Sequence, residues 1–400
     1  MNLDLSRLSA LSDWMNRAVD GGECAGVQAA VVKDSREVWY AAAGMADVEA
    51  ARPMSRDTLF RMFSSTKCVT GLAAAMCVDR GLFTPRAPVC EYLPGFKDQL
   101  YWDGKELRPV GARTVYIFDL LNMTSGICYP GNWNPGDRGL DAEVKRLAAE
   151  IDAGDYSTGT VEFANRIGRV PLSFYPGHQW AYGMNADVVG ALVEVATGKR
   201  YGQWLRDEIF GPLGMDDTGF SIPPEKRGRL AGAYAFADDA PHDRTRIDAE
   251  VGRHLGLADY DPRTNVEMGG AGLVSTIGDW CKLMAMLQAG GTWNGHRFLS
   301  PYGFRLMTTP MLTPEQAKTY NWQDKLGNNY AFFNDIRLAG TPSSNPSNLG
   351  TFGWCGMLGT NSFVDPVEKL SLVVTIQNRP PFTRSCLTYG LRNPLYAALG

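Results

Sequence analysis

The chain has 400 residues, of which 44% are hydrophobic and 20% charged, so it can bury a sizeable core in one large or two medium domains. Its 39 basic and 43 acidic side chains give a net charge of −4, which argues against a nucleic-acid-binding protein, because such proteins gather a basic excess on one face. The longest apolar runs have the length of a strand, so we expect no membrane span and a soluble globular protein.

The N-terminal segment does not resemble a secretory signal, because residues 1–7 lack a basic region followed by an unbroken apolar run. Apolar residues recur there at helical spacing and predict an amphipathic helix: Leu8, Leu11, Met15 and Val19. The eight cysteines include no CxxC pair and are too sparse for a disulfide scaffold. We therefore expect free thiols in a cytoplasmic protein, although a secreted protein without its signal peptide would show the same pattern.

The next segments predict a hairpin and then a helical region. Two β-rich runs, residues 27–32 and 37–41, flank the turn pair Asp34 and Ser35. From about residue 60 to 230 the pattern is helical. One apolar stripe ends at Gly81 and comprises Val69, Leu72, Ala73 and Met76. A second ends at Gly198 and comprises Val188, Val189, Leu192 and Val195.

The last third of the chain returns to strands. Residues 238–265 are rich in Asp, Arg, Pro and His and predict a long exposed loop. A helix is predicted from Ser275, its N-cap, to Gly290, and residues 341–346 are predicted to form a loop. Strands follow at 361–364 and 370–377, joined by a turn at Asp365 and Pro366, with a last helix near Leu391.

Strands at both ends of the chain, with helices between them, predict the fold class α/β (α+β) rather than a doubly wound sheet. One antiparallel sheet would be built from both chain ends and flanked by the terminal helices. A large, mainly helical domain would be inserted in the middle. The predicted domains are residues 1–60 with 265–400, and residues 61–264, with the active site in the cleft between them.

Most catalytic motifs are missing from the sequence. No serine has glycines at both −2 and +2, and HExxH, GxGxxG and GxxxxGK do not occur. The four histidines are scattered, and we interpret them as structural or surface residues rather than metal ligands: His178, His242, His254 and His296. The sequence implies no metal and no organic cofactor.

One element can carry chemistry, the sequence Ser64-Ser65-Thr66-Lys67 at the start of the helix that runs to Gly81. A spacing of three places Ser64 and Lys67 on one helical face, within reach of each other. The helix N-terminus favours negative charge developing near Ser64. A desolvated lysine with a lowered pKa can serve as the base that a serine nucleophile needs.

The surrounding sequence strongly resembles the serine β-lactamase-like family, which contains class C β-lactamases, DD-peptidases and family VIII carboxylesterases. The resemblance is closest to the family VIII carboxylesterase and acyltransferase branch. Six landmarks follow in family order between about residues 27 and 377. They are residues 60–71, 120–126 (LLNMTSG), 175–198, 209–215 (IFGPLGM), 269–276 (GGAGLVST) and 352–356 (FGWCG).

The resemblance implies a role for each matching residue. Ser64 would be the nucleophile, Lys67 its proton acceptor, and Tyr182 a second acid/base that relays the proton to the leaving group. Tyr182 would need its pKa lowered by a nearby cation, namely Lys67, and which of the two deprotonates Ser64 stays open. The backbone N–H groups of Ser64 and Met357 would form the oxyanion hole.

Departures from the family pattern narrow the range of substrates that we expect. Trp354, Cys355 and Gly356 stand where β-lactamases and DD-peptidases carry Lys-Thr-Gly, and they are predicted to bind substrate with an apolar wall and a thiol. Cys355 would crowd the cleft, react with thiol reagents, or be buried and inert. Met184 replaces the asparagine that β-lactamases place two residues after the tyrosine; Asn185 lies one position off and need not substitute for it.

The sequence therefore predicts a serine hydrolase that acts through an acyl-enzyme on a small-molecule carboxylic ester, with acyl transfer to another alcohol left open. The alternatives are a β-lactamase or D-amino-acid peptidase, and a non-catalytic penicillin-binding-like sensor. Arg379 and Arg384 could hold a substrate carboxylate, but we interpret them as solvated surface charges. No nucleic-acid or membrane partner is expected, and the sequence does not indicate the oligomeric state.

Overall fold

A computed structural model describes residues 1–237, 240–320, 327–338, 346–379 and 390–400. Its strands are β1 (Gly26–Lys33), β2 (Arg36–Asp47), β3 (Arg52–Pro53), β4 (Phe60–Arg61), β5 (Leu100–Trp102), β6 (Leu107–Pro109), β7 (Tyr234–Ala237), β8 (Ala240–Arg246), β9 (Val274–Ser275), β10 (Thr292–Trp293), β11 (His296–Arg297), β12 (Asn328–Ala331), β13 (Asn334–Arg337), β14 (Phe352–Cys355), β15 (Asn361–Asp365), β16 (Leu370–Thr375) and β17 (Asn378–Arg379).

Its α-helices are α1 (Ser9–Asp20), α2 (Thr66–Asp79), α3 (Ile117–Leu121), α4 (Pro135–Asp152), α5 (Thr160–Arg169), α6 (Asn185–Thr197), α7 (Tyr201–Leu205), α8 (Gly211–Leu213), α9 (Asp248–Val251), α10 (Ile277–Gln288), α11 (Pro301–Thr308), α12 (Pro314–Ala317) and α13 (Arg392–Ala397). Short 3-10 turns lie at Leu5–Leu8, Phe63–Ser65, Val89–Glu91, Pro94–Phe96, Pro224–Arg229 and His254–Gly256, and one π-helical turn at Arg206–Phe210. None of the helices in the described ranges is both long enough and apolar enough to cross a membrane.

The main sheet combines strands from both ends of the chain. In the described part of the chain it has eight strands in the order β12-β13-β14-β15-β16-β1-β2-β3, and the neighbouring strands are antiparallel. Strands β1 and β16 lie side by side, with Ala30 opposite Val373. The predicted hairpin turn has positive φ at both Asp34 and Ser35, which suits a tight antiparallel turn. The predicted fold class is confirmed, whereas the two domain boundaries stay a prediction.

Alternate residues of strand β1 face two different helical layers. Val27, Ala29 and Val31 pack in a cluster with buried residues of α1 and α13 on the outer face of the sheet. Ala30 and Val32 belong to the larger core on the opposite face, where α10 packs on β1, β15 and β16. Both faces of β1 are therefore buried, which explains its almost unbroken apolar sequence.

Helix α2 is buried around nearly its whole circumference rather than along the single predicted stripe. Every residue from Thr66 to Cys77 is buried, and the helix packs against α6 and α11. A Cβ on Gly71 would lie 2.1 Å from the carbonyl oxygen of Phe332, so glycine lets the β12–β13 turn approach the helix. The start of α2, which directly follows the turn that carries Ser64, is thereby fixed within the core.

Three sequence predictions are wrong in detail. Helix α10 begins one residue later than expected, because Ser275 ends β9 and the Thr276 hydroxyl accepts the capping hydrogen bond from the Asp279 amide. The predicted loop 238–265 contains β8 and α9, and it buries Tyr260, because this side chain packs in an apolar cluster with Leu59, Ile222, Leu230 and Val274. Val195 is exposed, because the buried face of α6 ends at Val193. The predicted loop at residues 341–345 lies outside the described residues.

Candidate active site

Ser64 lies on a strained turn at the entrance to α2. The preceding residue, Phe63, has a φ of 43°, a left-handed conformation that costs a non-glycine residue roughly 1 kcal/mol or more. Ser64 stays partly exposed while Phe63 and Ser65 are buried. The turn thus presents the Ser64 hydroxyl at the edge of the core.

Lys67, one helical turn later, is fully buried and its ammonium group points at Ser64. Its Nζ donates hydrogen bonds to Ser64 Oγ at 3.1 Å, to the Tyr129 hydroxyl at 2.9 Å and to the carbonyl oxygen of Gly270 at 2.6 Å. Burial lowers the pKa of Lys67 to about 8, against the opposing charge of Asp187. Near neutral pH, part of the population therefore carries the free amine that can accept a proton.

Tyr182 completes the predicted trio. Its hydroxyl accepts a hydrogen bond from the indole Nε1 of Trp354 at 2.9 Å, and the Lys67 Nζ lies 4.9 Å from its ring centre. Burial raises the pKa of Tyr182, although hydrogen bonds with Ser64 and Trp354 oppose the rise. The expectation that Lys67 lowers this pKa is wrong, because desolvation of the phenolate outweighs the nearby cation. Tyr182 is therefore neutral and able to donate its proton.

Tyr129 is a fourth residue of the site, which the sequence analysis missed. Its hydroxyl accepts the 2.9 Å hydrogen bond from Lys67, and its ring lies 5.2 Å from that of Tyr182 in an edge-to-face contact. Burial raises the pKa of Tyr129 well above its ordinary value. The available signal was its position three residues after Gly126, where the 120–126 landmark ends.

The segment after β14 closes the site beside the nucleophile. A Cβ on Gly356 would lie 2.4 Å from the carbonyl oxygen of Met62, so glycine permits this approach. The Thr360 hydroxyl donates to that same oxygen at 3.0 Å and lies 2.9 Å from Ser65 Oγ. Met357, predicted to supply an oxyanion-hole amide, lies in the turn that these bonds join to Met62 and Ser65, the residues on either side of Phe63 and Ser64.

Cys355 is partly exposed, and its thiolate would raise the pKa values of both Lys67 and Tyr182. It is therefore not the deeply buried thiol that one of the three expectations described. Asn185 is fully buried, and its Nδ2 donates to the Ile127 carbonyl at 3.0 Å. Its Oδ1 accepts a hydrogen bond from the Ser125 hydroxyl, so both ends of the amide are engaged within the core.

Among the residues that the structure describes, the remaining candidates do not form a second centre. Arg379 forms an ion pair with Glu250, with 3.0 Å between Nη2 and Oε2, and Arg384 lies outside the described residues. His254 packs edge-on against Phe63, and burial lowers its pKa to about 4, helped by the charge of Lys67. Within the described ranges, no group of three or more His, Cys, Asp or Glu side chains is placed to hold a metal ion.

Comparison with known proteins identifies the family. Esterase EstB from Burkholderia gladioli is 33% identical over 298 residues, which cover 72% of this chain and 72% of EstB. The structure of EstCE1, a hydrolase with promiscuous acyltransferase activity, matches with a TM-score of 0.78 at 23% identity, covering 98% of this chain and 99% of EstCE1. Simvastatin Synthase (LovD) from Aspergillus terreus matches with a TM-score of 0.79 at 23% identity and covers 98% of both chains.

The two structural matches show the fold, and the EstB match extends the likeness to the sequence. The Beta-lactamase family model matches residues 11–392, nearly the whole chain. The resemblance seen in the sequence landmarks is thereby confirmed: this chain belongs to the beta-lactamase family.

Proposed function

We propose that this protein is a serine hydrolase that cleaves carboxylic esters of small molecules through an acyl-enzyme on Ser64. The observation that carries the proposal is the 3.1 Å contact between Lys67 Nζ and Ser64 Oγ, in a site whose burial lowers the lysine pKa to about 8. A base of this pKa is partly deprotonated near neutral pH and is within hydrogen-bonding reach of the serine proton.

In the acylation step, Ser64 Oγ attacks the ester carbonyl carbon and its proton moves to the neutral amine of Lys67. The amides of Ser64 and Met357 stabilise the oxyanion of the tetrahedral intermediate. The bond to the alcohol then breaks, and Tyr182 donates its hydroxyl proton to the departing alkoxide. The products of this step are the acyl-enzyme and the free alcohol.

Tyr129 returns the proton to Tyr182. Its hydroxyl accepts from Lys67 and interacts with the hydroxyl of Tyr182, so a proton on Lys67 can pass through Tyr129 to the Tyr182 phenolate. Water then attacks the acyl carbon while the neutral amine of Lys67 takes its proton. The bond to Ser64 Oγ breaks, that oxygen takes the proton back from Lys67, and the carboxylic acid is released. An acceptor alcohol in place of water would give acyl transfer with the same groups.

The chemistry around Trp354 favours esters over β-lactams and D-peptides. Its indole N–H is directed at the Tyr182 hydroxyl, at the place where the carboxylate-binding members of the family carry a lysine. The similarity to EstB supports the same substrate class, since EstB is an esterase at 33% identity. A site without that lysine suits a neutral acyl group.

The test is hydrolysis of p-nitrophenyl acetate and p-nitrophenyl butyrate beside a chromogenic cephalosporin. Ser64→Ala should lower ester turnover by at least about 1,000-fold, because it removes the nucleophile. Ser6→Ala, at an exposed serine of the N-terminal turn, is the matched control and should keep the wild-type rate.

Two outcomes would contradict the proposal. Faster turnover of the cephalosporin than of either ester would favour a β-lactamase. Failure of a fluorophosphonate probe to label Ser64, with no turnover of any substrate, would favour the sensor.

A further inference from the structure

Asp187, in the first turn of α6, is a buried carboxylate that no step of the proposed mechanism uses. It is 4% exposed. Its Oδ1 accepts a hydrogen bond from the amide of Gly270 at 2.9 Å, whereas Oδ2 has no hydrogen-bond partner among the described residues. Burying a carboxylate with an unsatisfied oxygen is costly unless a nearby charge compensates it. Lys67 supplies that charge, because it lowers the pKa of Asp187 against the effect of burial.

One residue, Gly270, joins Asp187 to Lys67 through its backbone. The N–H of Gly270 donates to Asp187, and the C=O of the same residue accepts the 2.6 Å hydrogen bond from Lys67 Nζ. The ammonium group is therefore held by an acceptor whose own residue is fixed by the carboxylate. This is the shortest of the three hydrogen bonds that Lys67 makes.

The segment Gly269–Gly270 fits between α2 and α6 because it has no side chains. A Cβ on Gly270 would lie 2.6 Å from Asp187 Oδ2, and one on Gly269 would lie 2.4 Å from the carbonyl oxygen of Ala186. The hydroxyl of Thr70 donates to the Gly269 carbonyl at 2.6 Å. Residues of both helices therefore contact this segment and fix its position: Thr70 from α2, and Ala186 and Asp187 from α6.

We infer that Asp187 is a positioning residue for Lys67: it holds the lysine against Ser64 through the backbone of Gly270 and balances the charge of the lysine in the buried site. The inference rests on the proposed function, in which Lys67 takes the proton of Ser64. Asp187 does not touch the substrate in this scheme.

Several other titratable groups surround this pair. Those that interact with Lys67 come from α2, the loop before α4, the segment before α6, the 254–256 turn and β14: Cys68, Tyr129, Tyr182, His254 and Cys355. Those that interact with Asp187, besides Lys67, are Tyr129 and Tyr201.

Among the charges that raise the pKa of Lys67, that of Asp187 has the largest effect. Removing the charge of Asp187 should therefore lower the pKa of Lys67. The acid limb of the pH–rate profile, where the rate rises as Lys67 loses its proton, should then move to lower pH.

The test is the rate at which a fluorophosphonate probe modifies Ser64, measured between pH 5 and 10. In the wild-type protein the rate should rise with pH through about 8, as Lys67 loses its proton. Asp187→Asn keeps an oxygen for the Gly270 amide and removes only the charge. It should shift the acid limb to lower pH by at least half a unit and keep the plateau rate within about fivefold.

Two further variants separate positioning from general stability. Asp187→Ala also removes the acceptor of the Gly270 amide and should lower the plateau rate at least tenfold. Glu194→Gln is the matched control, since this half-buried carboxylate on the same helix also accepts a backbone amide, that of Tyr201, at 3.0 Å. It should leave the pH profile unchanged.

The inference would be overturned, and the proposed function left standing, if folded Asp187→Asn protein gave the same acid limb as the wild type and Glu194→Gln. Absence of Ser64 labelling in the wild type would overturn the proposed function and this inference with it. If Asp187→Ala does not fold, the isosteric Asp187→Asn still decides the outcome.

Discussion

Trp354 contributes a directed hydrogen bond as well as the apolar wall that its sequence position predicts. The indole is 2% exposed and donates to Tyr182. Its ring lies 5.2 Å from that of Tyr330 in an edge-to-face contact, which restricts its orientation. At the scale of single residues, Trp354 therefore fixes where the Tyr182 hydroxyl points.

We expect Trp354→Phe to lower kcat roughly tenfold with little change in KM, because it removes one hydrogen bond worth about 1 to 1.5 kcal/mol to a group that acts in the transition state. Steady-state hydrolysis of p-nitrophenyl butyrate measures this. Trp280→Phe is the matched control, since its buried indole also donates at 2.9 Å, but to Ser362. Equal losses of kcat in the two variants would show that Trp354 acts only through packing.

At the scale of elements, the turn after β14 and the turn before α2 form one unit. Thr360 joins them through Met62 and Ser65, and the Gly356 amide donates back to the Thr360 carbonyl at 2.7 Å. Both amides assigned to the oxyanion hole lie in this unit. The geometry of this unit depends on the Thr360 side chain, whose hydroxyl bonds to Met62 and Ser65.

Thr360→Val, which is nearly isosteric, should lower kcat about tenfold and the stability by about 1 to 3 kcal/mol, because Met62 and Ser65 lose their partner. Kinetics with p-nitrophenyl butyrate and urea unfolding measure the two effects. Thr375→Val on the neighbouring β16 is the control, because the buried Thr375 hydroxyl has no partner among the described residues. An unchanged kcat in Thr360→Val would remove this turn from the catalytic argument.

At the scale of the whole molecule, the two chain ends meet on the outer face of the sheet. The Asn2 amide donates to the Gly400 carbonyl at 3.1 Å, and Leu11 and Leu395 are fully buried in the cluster that covers β1 and β16. The proposed catalytic groups belong to the opposite side, where α2 and Trp354 join the larger core. The cluster formed by the chain ends and the proposed catalytic groups therefore lie on opposite faces of one sheet.

Leu11→Ala should destabilise the protein by about 2 to 5 kcal/mol, the usual cost of a cavity at a fully buried leucine, without changing kcat/KM of the folded molecules. Urea unfolding and ester kinetics at low temperature separate the two quantities. Leu5→Ala, at a leucine that is 54% exposed, should have almost no effect on stability. A lower kcat/KM in folded Leu11→Ala protein would show that the two faces are coupled.

Local signals determined much of the fold and part of the site. Alternating β-rich runs and helical stripes found the β1–β2 hairpin and helices α2, α6 and α10, because their periodicity is set by neighbours in sequence. The three-residue spacing of Ser64 and Lys67 marked a candidate pair for the same reason, and the family resemblance around it indicated the predicted nucleophile and base. Tyr182 was identified through the family resemblance.

The tertiary structure decided the rest. Tyr129 and Gly270 reach Lys67 across 62 and 203 residues of sequence, and Trp354 reaches Tyr182 across 172. No local pattern marks such contacts, because they exist only once the helices and the sheet have packed together. The expected direction of the pKa shift of Tyr182 was wrong for a related reason. Desolvation depends on how many atoms enclose the hydroxyl, and that enclosure is a property of the folded molecule.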